Sequence, residues 1–579
     1  MREQRTTRAF SIIMVAIGAV EFDEMFSESD NEEVFSGFEA DNSDSDLDFS
    51  DISSVSNDES DVEDDASEAS REEQVWTEVH SDFQIEPFIS PVGPNFEAFV
   101  NAKEIDYFRL LFGDEILNTI MEESNRFARQ KLATKPDKLE RWVNITLPEL
   151  KAYLGIAIIM GINYNPRTAM YWSADEFYCN PGIKKIMPRN RFDGIKRFLH
   201  FSDSSQQVQR GEEGYDRLYK VRCFLDRCKK SFKGSYNPIK NLSLDEGMIA
   251  FKGRLSFRQY MPAKPTKYGI KVWMCADSAT GYVLNHEVYL GKDKDNMDGV
   301  DLDANGLGHY VVTSMTKPFH GRYHHVYFDN FFNSPKLLQD LLGKKTYACG
   351  TVRSNRKGLP PKKKLGTGEI HIEQKGNTNL VYTQWKDKRD VAVLSTNCSP
   401  KEQHVTTQRR GRGGVISEVV KPKVVAMYNN NMGGVDQADQ IRSYYPTGRA
   451  SRKWYRYIFW FLFDVAIGNA FVLDKISATG RRRPKKGLEF RDHLAKQLIG
   501  GYVGRADVRR RESQKRALTV DISPENFIAK IAGRKRECVQ CKKDERRTPK
   551  GRARETVWKC EQCDVALCKQ LCFRLYHLD

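Results

Sequence analysis

From about Asn95 onward, apolar residues recur at three- and four-residue spacing. NAKEIDYFRLLFGDEILNTIMEESNRFARQ and TLPELKAYLGIAIIMGI show the period, and RNRFDGIKRFLHFSD and YDRLYKVRCFLDRCKKSFKGSY continue it. Residues 95–238 therefore predict a helical domain with basic faces. At residue 241 the period changes. NLSLDEGMIAF reads as a strand, and YGIKVWMCADSATGYVLNHEVYLG as two strands around a turn at Asp277–Gly281. GLGHYVVTSMT fits a short helix, YHHVYFD a buried strand, SPKLLQDLL a helix and YACGTVR another strand. The order β-β-β-α-β-α-β predicts an α/β fold, a meander followed by right-handed crossovers. Residues 354–422 break the pattern with Lys/Gly/Pro-rich sequence, short strands (HIEQ, NLVYTQW, VAVLST) and the loop QRRGRGG. VVAMYNN then reads as strand-like, and VDQADQIRSYY opens a helix. Residues 454–473 are apolar and nearly long enough to span a membrane. Arg456, Asp464 and Asn469 interrupt them, and an Asp near a span centre costs about 3 kcal/mol. The expectation is a helix buried in a protein core or a dimer interface.

Charge divides the chain. Its 579 residues carry a formal net charge of +13, from 91 Lys and Arg against 78 Asp and Glu. Residues 21–73 hold 22 acidic side chains and one basic one, Arg71. That is a −21 segment; residues 1–20 carry +2, and residues 74–579 are left with +32. The acidic part buries too little apolar surface to fold alone. The basic body points to polyanions. Residues 9–20, behind three arginines, mimic a short signal peptide; the alternative is an over-extended start, with Met25 opening the acidic tail. Six scattered cysteines lack framework spacing and read as reduced thiols.

Candidate chemistry sits at the ends of buried elements. Asp245 ends LSLD, Asp329 ends HHVYFD, and Asp436 follows Gly433-Gly434 at a helix start, with Asp439 one turn on. Spacing of three puts Asp436 and Asp439 on one helical face. An Asp at a buried strand end is costly unless something pairs it. Clustered carboxylates are ligands that Mg²⁺ or Mn²⁺ prefers, and such ions drive phosphodiester displacement. The alternative is that these residues form turns and helix caps.

LDEGMIAFKGR, YMPAKPTKYGIKVWMCADSATGYV, VYFDNFFNSP, GTVRSNRKGLP and NMGGVDQADQIRSYYP, in that order, resemble the piggyBac family of DDE transposases. The resemblance runs from about residue 95 to the C-terminus. It implies an RNase H-like catalytic core interrupted by an insertion domain. It also implies a discontinuous helical dimerisation and DNA-binding domain, formed by segments before and after that core. The corresponding division is a disordered acidic region at 1–94, helical segments at 95–240 and 446–532, catalytic segments at 241–354 and 423–445, and an insertion at 355–422. A Cys-rich module closes the chain at 533–579. The family's catalytic aspartates fall on Asp245, Asp329 and Asp436, as ligands to Mg²⁺ or Mn²⁺, and its further acidic residue falls on Asp439. The implied reaction nicks transposon ends, forms and opens hairpins, and joins the ends to TTAA sites in double-stranded DNA. A homodimer and a nuclear location go with it, and no membrane. The rival expectation is a domesticated relative that binds DNA or chromatin without cutting.

Two further features bear on DNA. Arg353, Arg356 and Lys357 follow the last sheet strand and suit phosphate contacts; the family's corresponding basic residues are associated with target DNA. Lys252 and Arg254, just past Asp245, are further candidates. A solvated loop is the alternative for this stretch. RRRPKK at 481–486 reads as a nuclear localisation patch or a DNA contact. At the C-terminus, Cys538, Cys541, Cys560, Cys563, Cys568, Cys572 and His577 form a strong Zn²⁺ signal, two C-x-x-C pairs 18 residues apart. They are seven of the eight ligands that two tetrahedral sites need, and interleaved pairing as in cross-brace fingers is expected. Its family counterpart binds transposon-end DNA; a chromatin-peptide reader is the alternative.

Overall fold

The structure is a computed structural model. It describes residues 75–97, 99, 101–134, 142–262, 266–291, 302–402, 404–410, 416–477, 485–504, 528–549, 551–561, 563–569 and 571–578. The acidic tail, the signal-like stretch and Arg481–Pro484 of the basic patch lie outside these residues. The chain divides into two compact units, residues 1–184 with 189–502, and residues 185–188 with 503–579.

The larger unit begins with β1 (Trp76–Thr77) and β2 (Gly93–Pro94). Helices α1 (Glu104–Leu111), α2 (Asp114–Leu132), α3 (Leu147–Ile162), α4 (Arg189–Phe198) and α5 (Tyr219–Ser235) follow. Next come β3 (Tyr236–Asn237), β4 (Asn241–Ala250), β5 (Gln259–Tyr260), β6 (Tyr268–Asp277) and β7 (Val283–Val288). Then α6 (Leu302–Thr316), β8 (His325–Phe328), α7 (Pro335–Gly343) and β9 (Tyr347–Thr351) alternate as expected. β10 (Ile370–Lys375), β11 (Val381–Lys386), β12 (Asp390–Ser395), β13 (Val405–Arg410) and β14 (Ile416–Lys421) lead into α8 (Lys423–Asn431) and α9 (Gly434–Ser443). α10 (Trp454–Ser477) and α11 (Gly487–Ile499) end the unit.

One mixed sheet of ten strands organises it, in the order β1-β10-β11-β12-β9-β8-β4-β6-β5, with β7 also on β6. β4 and β6 pair antiparallel, whereas β4–β8 and β8–β9 are parallel. The parallel part is covered on both faces, so Leu242, Ser243 and Leu244 are all buried, as are Val326, Tyr327 and Phe328. α7 makes the return from β8 to β9. Ser334 caps it by accepting the Leu337 N–H at 3.3 Å, and Pro335 fills its first turn.

Several expectations are corrected. Residues 75–94, assigned to the disordered acidic region, form β1 and β2. Trp76 pairs with Lys375 on β10, and its indole N–H donates to the Gly358 carbonyl at 2.9 Å. VVAMYNN is helix α8, not strand: Val424 and Val425 pack on Tyr327 and Cys349 of the sheet. A short apolar run cannot by itself separate a strand from a buried helix. Gln408, Arg409 and Arg410 of the expected loop belong to β13. The segment 355–422 is not set apart from the core, because β12 pairs antiparallel with β9 and carries β11 and β10 onto the same sheet.

α10 is long and apolar enough to cross a membrane by composition, yet 89% of its apolar window is buried inside this unit. Its polar residues each meet a defined partner. Asn469 bonds both backbone groups of Val283 on β7, accepting N–H and donating to C=O at 2.8 Å each. Asp464 accepts from the Thr447 hydroxyl at 2.9 Å and lies 3.8 Å from Arg491 on α11. Arg456 donates to the carbonyls of Arg197 and Leu199. Rings of Phe108 and Phe112 on or just after α1, Phe224 on α5, and Phe459 and Phe463 on α10 stack into one aromatic cluster.

Glu104 closes the helical layer. Its carboxylate is 3% exposed, is ion-paired to Lys485 and accepts from His493 at 2.9 Å and Gln497 at 2.5 Å. Burial pushes its pKa up, but Lys485 and the other donors overcome this and hold it at about 2. A depressed carboxylate stabilises the fold above its ordinary value near 4.5, and that stabilisation is lost as pH falls towards 2. Glu104→Gln leaves Lys485 buried with Asp474 as its remaining acidic contact, at 3.4 Å. Removing one partner of a buried pair costs about 3–5 kcal/mol. We expect a lower melting temperature than the parent at pH 7 and convergence of the two near pH 2. Equal melting temperatures across pH 4–8 would refute this role.

Candidate active site and metal centres

The first site is built on the parallel strands. Leu244 is in register with Phe328, so Asp245 and Asp329 are the next residues along adjacent strands, whose axes lie about 4.8 Å apart. Side-chain alternation puts Ser243 and Asp245 on one face, with Tyr327 and Asp329 beside them and Cys349 and Thr351 on β9 next in line. α8 and α9 cover that face. Tyr428 of α8 bonds Thr351, and its phenol is pushed up to about 12 by burial, with the Asp329 and Asp245 carboxylates adding to the rise. Both carboxylates are thus within electrostatic reach of one ring.

α9 delivers the third aspartate. The Val435 N–H donates to the Ser243 hydroxyl at 3.1 Å, two residues before Asp245. Asp436 comes next, in the helix's first turn. A Cβ at Gly434 would stand 2.5 Å from Ser243 Oγ and 2.8 Å from the Asp277 carbonyl. Asp439, one turn on, pairs with Arg442 at 3.1 Å, and that guanidinium lies 4.6 Å from the Phe461 ring centroid on α10. Asp439 is therefore tied into α9 and its contact with α10.

The loop after Asp329 is clamped. Its carboxylate accepts the Phe331 N–H at 2.9 Å. Arg353 donates to the Asn330 side chain at 3.3 Å, and Arg356 to the backbone carbonyls of Asn330 and Phe331. Asn333 donates to the Gly350 and Thr351 carbonyls at 2.6 and 3.0 Å. The two arginines hold the aspartate's loop, while Lys357 is exposed beside them. Lys252 and Arg254 are exposed in the loop past the end of β4, folded back by Arg258 bonds to the Lys252 and Gly253 carbonyls. Lys252 is seven residues from Asp245, up to about 23 Å along an extended chain. Ser243, Asn333, Thr351 and Tyr428 escaped the sequence reading. The Asn four residues after Asp329 was the one visible hint.

Among the described residues, two groups of three or more Cys, His, Asp or Glu bring all their ligand atoms within 4.8 Å of one another, and both lie in the smaller unit. Asp245, Asp329 and Asp436 are not among these groups. The smaller unit carries β15 (Ile528–Lys530), β16 (Arg536–Glu537), α12 (Val539–Lys543), β17 (Glu555–Thr556), β18 (Trp558–Cys560) and α13 (Leu571–Leu578). One group is Cys538, Cys541, Cys568 and Cys572, and the other Cys560, Cys563 and His577. The grouping is interleaved along the chain, as expected. Zn–S bonds of 2.3 Å in a tetrahedron place sulfurs about 3.8 Å apart. Cys541 lies 3.9 Å from Cys568 and 3.4 Å from Cys572. Burial and the neighbouring Cys538 push the Cys568 thiol up to about 11, so a cation is what lets four adjacent sulfurs ionise together. In the second group, His577 Nδ1 donates to the Phe573 carbonyl at 2.8 Å, which leaves Nε2, 3.4 Å from Cys563 Sγ, as the ligand atom. The donor sets fit zinc. Arg534, Lys535, Arg547, Arg552 and Arg554 are exposed around them; Arg546 pairs with Asp544 at 2.8 Å, and Lys550 lies outside the described residues.

Residues 103–471 match the family model described as Transposase IS4, and residues 523–578 match a DDE_Tnp_1-like zinc finger. Human PiggyBac transposable element-derived protein 3 is 26% identical over 502 residues, covering 84% of this chain and 79% of that protein. Human PiggyBac transposable element-derived protein 5 is 27% identical over 424 residues, covering 70% of this chain and 78% of that protein. The cryo-EM structure of a piggyBac transposase synaptic complex with hairpin DNA superposes with a TM-score of 0.60 at 24% identity, over 83% of this chain and 98% of that one.

Two tests follow from the geometry. Gly434→Ala forces α9 off β4, whereas a Cβ at Gly433 meets nothing within 4 Å. We expect Gly434→Ala to lower the melting temperature by several degrees, at an overpacking cost of about 1–3 kcal/mol, and Gly433→Ala to leave it within a degree. The reverse order would refute the contact. Cys541→Ser should reduce bound zinc by one ion per chain in native mass spectrometry. An unchanged count would remove Cys541 from the ligand set.

Proposed function

We propose, on the premise that this chain belongs to the Transposase IS4 family in its piggyBac type, that it is a metal-dependent DNA transposase. What supports this reading is that β4 and β8 pair in parallel up to Leu244 and Phe328, the residues before Asp245 and Asp329, and that Val435, the residue before Asp436, donates to Ser243 on β4. The strand arrangement β7-β6-β4-β8-β9, antiparallel then parallel, supports an RNase H-like reading of the core. Asp245, Asp329 and Asp436 would hold Mg²⁺ or Mn²⁺. A divalent cation there supplies activation of an attacking oxygen and charge neutralisation at phosphorus.

The chain's own residues do the positioning. Asp245 and Asp329 are presented by strands that pair in register, so their spacing is set by the sheet. Asp436 rides on α9, held by the Val435–Ser243 bond. Asp439 positions α9 through Arg442 and is not assigned a catalytic contact. Arg353 and Arg356 fix the loop carrying Asp329, and Lys357 offers a phosphate contact beside it. The substrate is double-stranded DNA: element ends that are nicked, closed as hairpins, reopened and joined at TTAA. Action on two ends favours a homodimer, and the zinc unit with its exposed arginines is read as a binder of end DNA. A DNA substrate of this kind places the protein in the nucleus. Lys485 of the basic patch is buried against Glu104 and Asp474, so recognition by an import receptor would rest on the residues before it.

The purified protein with a terminal-inverted-repeat duplex and Mg²⁺ tests this. Asp245→Asn, Asp329→Asn and Asp436→Asn should each reduce strand cleavage to the no-enzyme level while duplex binding persists. Asp439→Asn should keep partial activity. Undiminished cleavage by any of the first three would sink the assignment. Binding without cleavage by the parent itself would leave a DNA-binding descendant.

A further inference from the structure

A half-enclosed cavity of about 350 Å³, mouth included, lies between α3, α4 and α10 in the larger unit. Tyr153, Phe192 and Trp460 share its wall with Lys196, Arg449 and Arg456, and none of the described residues lining it is acidic. Arg456 is 7% exposed. Its Nη2 is spent on the Arg197 and Leu199 carbonyls, while its buried Nε has no hydrogen-bond partner. Arg449 donates through Nη1 to the Pro446 and Gly448 carbonyls, and its guanidinium lies 5.4 Å from the Tyr164 ring centroid. Its Nε and Nη2 are buried and also lack a hydrogen-bond partner.

Three guanidinium N–H groups, Arg449 Nε and Nη2 and Arg456 Nε, thus belong to side chains lining one cavity and have no acceptor among the described residues. Leaving a buried donor unmade is costly, more so when it is charged. Of the nearby carboxylates, Asp464 is held by Thr447 and Arg491, and Asp193 pairs with Arg189 at 3.3 Å. A trapped water would satisfy some of the N–H groups but would leave the cationic charge uncompensated. An anion does both. Planar guanidinium groups match the oxygens of a phosphate in pairs, and a lysine at the same wall adds a point charge. We propose that this cavity binds a phosphate group, gripped by Arg449 and Arg456 with Lys196. The narrow interior receives a phosphate oxygen, with the remainder of the ligand at the mouth. The source is either a DNA backbone phosphate or a free phosphate compound. Neither requires the aspartates to cut DNA.

The full-length protein is the test object, with pyrophosphate and a duplex of arbitrary sequence as the probes. Arg456 braces two carbonyls, so the variants are Arg449→Gln and Lys196→Gln, with circular dichroism confirming the fold. A rise in melting temperature with pyrophosphate over chloride at equal ionic strength, lost in Arg449→Gln, establishes the site for a free phosphate compound. Duplex affinity three- to tenfold weaker in both variants, with the salt slope reduced by about one in each, establishes it for a backbone phosphate. No pyrophosphate shift together with unaltered duplex affinity and slope overturns the proposal.

Discussion

The arrangement of the aspartates depends on how closely α9 approaches the sheet, and two glycines permit it. Gly434 lies where any side chain would run into Ser243 and the Asp277 carbonyl. Gly281, in the turn between β6 and β7 at φ +70°, lies under Gln437 and Ala438 in the same way. The turn is itself held by the fully buried Asp277. One of its carboxylate oxygens accepts from Ala279 N–H and from the Thr280 N–H and hydroxyl; the other accepts from Ile239 N–H and the Tyr236 hydroxyl. A buried carboxylate satisfied five times makes a rigid floor. Helix α9, which carries Asp436 in its first turn, rests on that floor.

The same logic explains why a chain interrupted by some 200 residues can rebuild one helical layer. α10 returns after the sheet and packs against α1 and α5; its rings meet Phe108 and Phe112 edge-on and Phe224 at a tilt. Aromatic burial supplies affinity without register. Register comes from the polar residues. Asn469 imitates a strand's hydrogen bonding at Val283. Arg456 caps the end of α4 through the Arg197 and Leu199 carbonyls. Asp464, whose pKa burial raises to about 6 against the opposing pull of Arg491, fixes the turn at Thr447. Sequence read these three residues as arguments against a membrane; in the structure they are the joints between helix and core.

That contrast shows what was legible. Alternation and helical spacing found the order of β4, β6, β7, α6, β8, α7 and β9, because the parallel strands are continuous apolar runs bounded by turn residues. Asp245 and Asp329 were visible as polar residues after such runs, and Asp436 at a helix start behind two glycines. The C-x-x-C spacing singled out the cysteines that the described geometry sorts, with His577, into two interleaved groups. Contacts across long sequence distances were not legible. Ser243 is a small polar residue in a strand until Val435, 192 positions on, donates to it. β10 to β12 looked like part of a separate insertion because nothing in their sequence announces that β12 pairs with β9. Arg353 and Arg356 looked like free DNA contacts; they are partly spent on the backbone beyond Asp329.

The smaller unit solves the folding problem by other means. Among the described residues its apolar cluster has little beyond the cysteines themselves: Leu567 and Phe573 at the centre, with Ile528, Val565 and Tyr576 packed against it. A core of that size cannot offset the entropy of ordering the segment. Metal binding then becomes folding energy. Interleaving makes the two sites cooperate, since closing Cys538 and Cys541 on Cys568 and Cys572 encloses the Cys560–Cys563 pair and positions α13, which carries His577. Cys538, Cys541 and Cys572 are buried, whereas Cys563 is exposed. The four-sulfur group is therefore the more enclosed of the two, and the strand pairs β15–β18 and β16–β17 belong to the same unit.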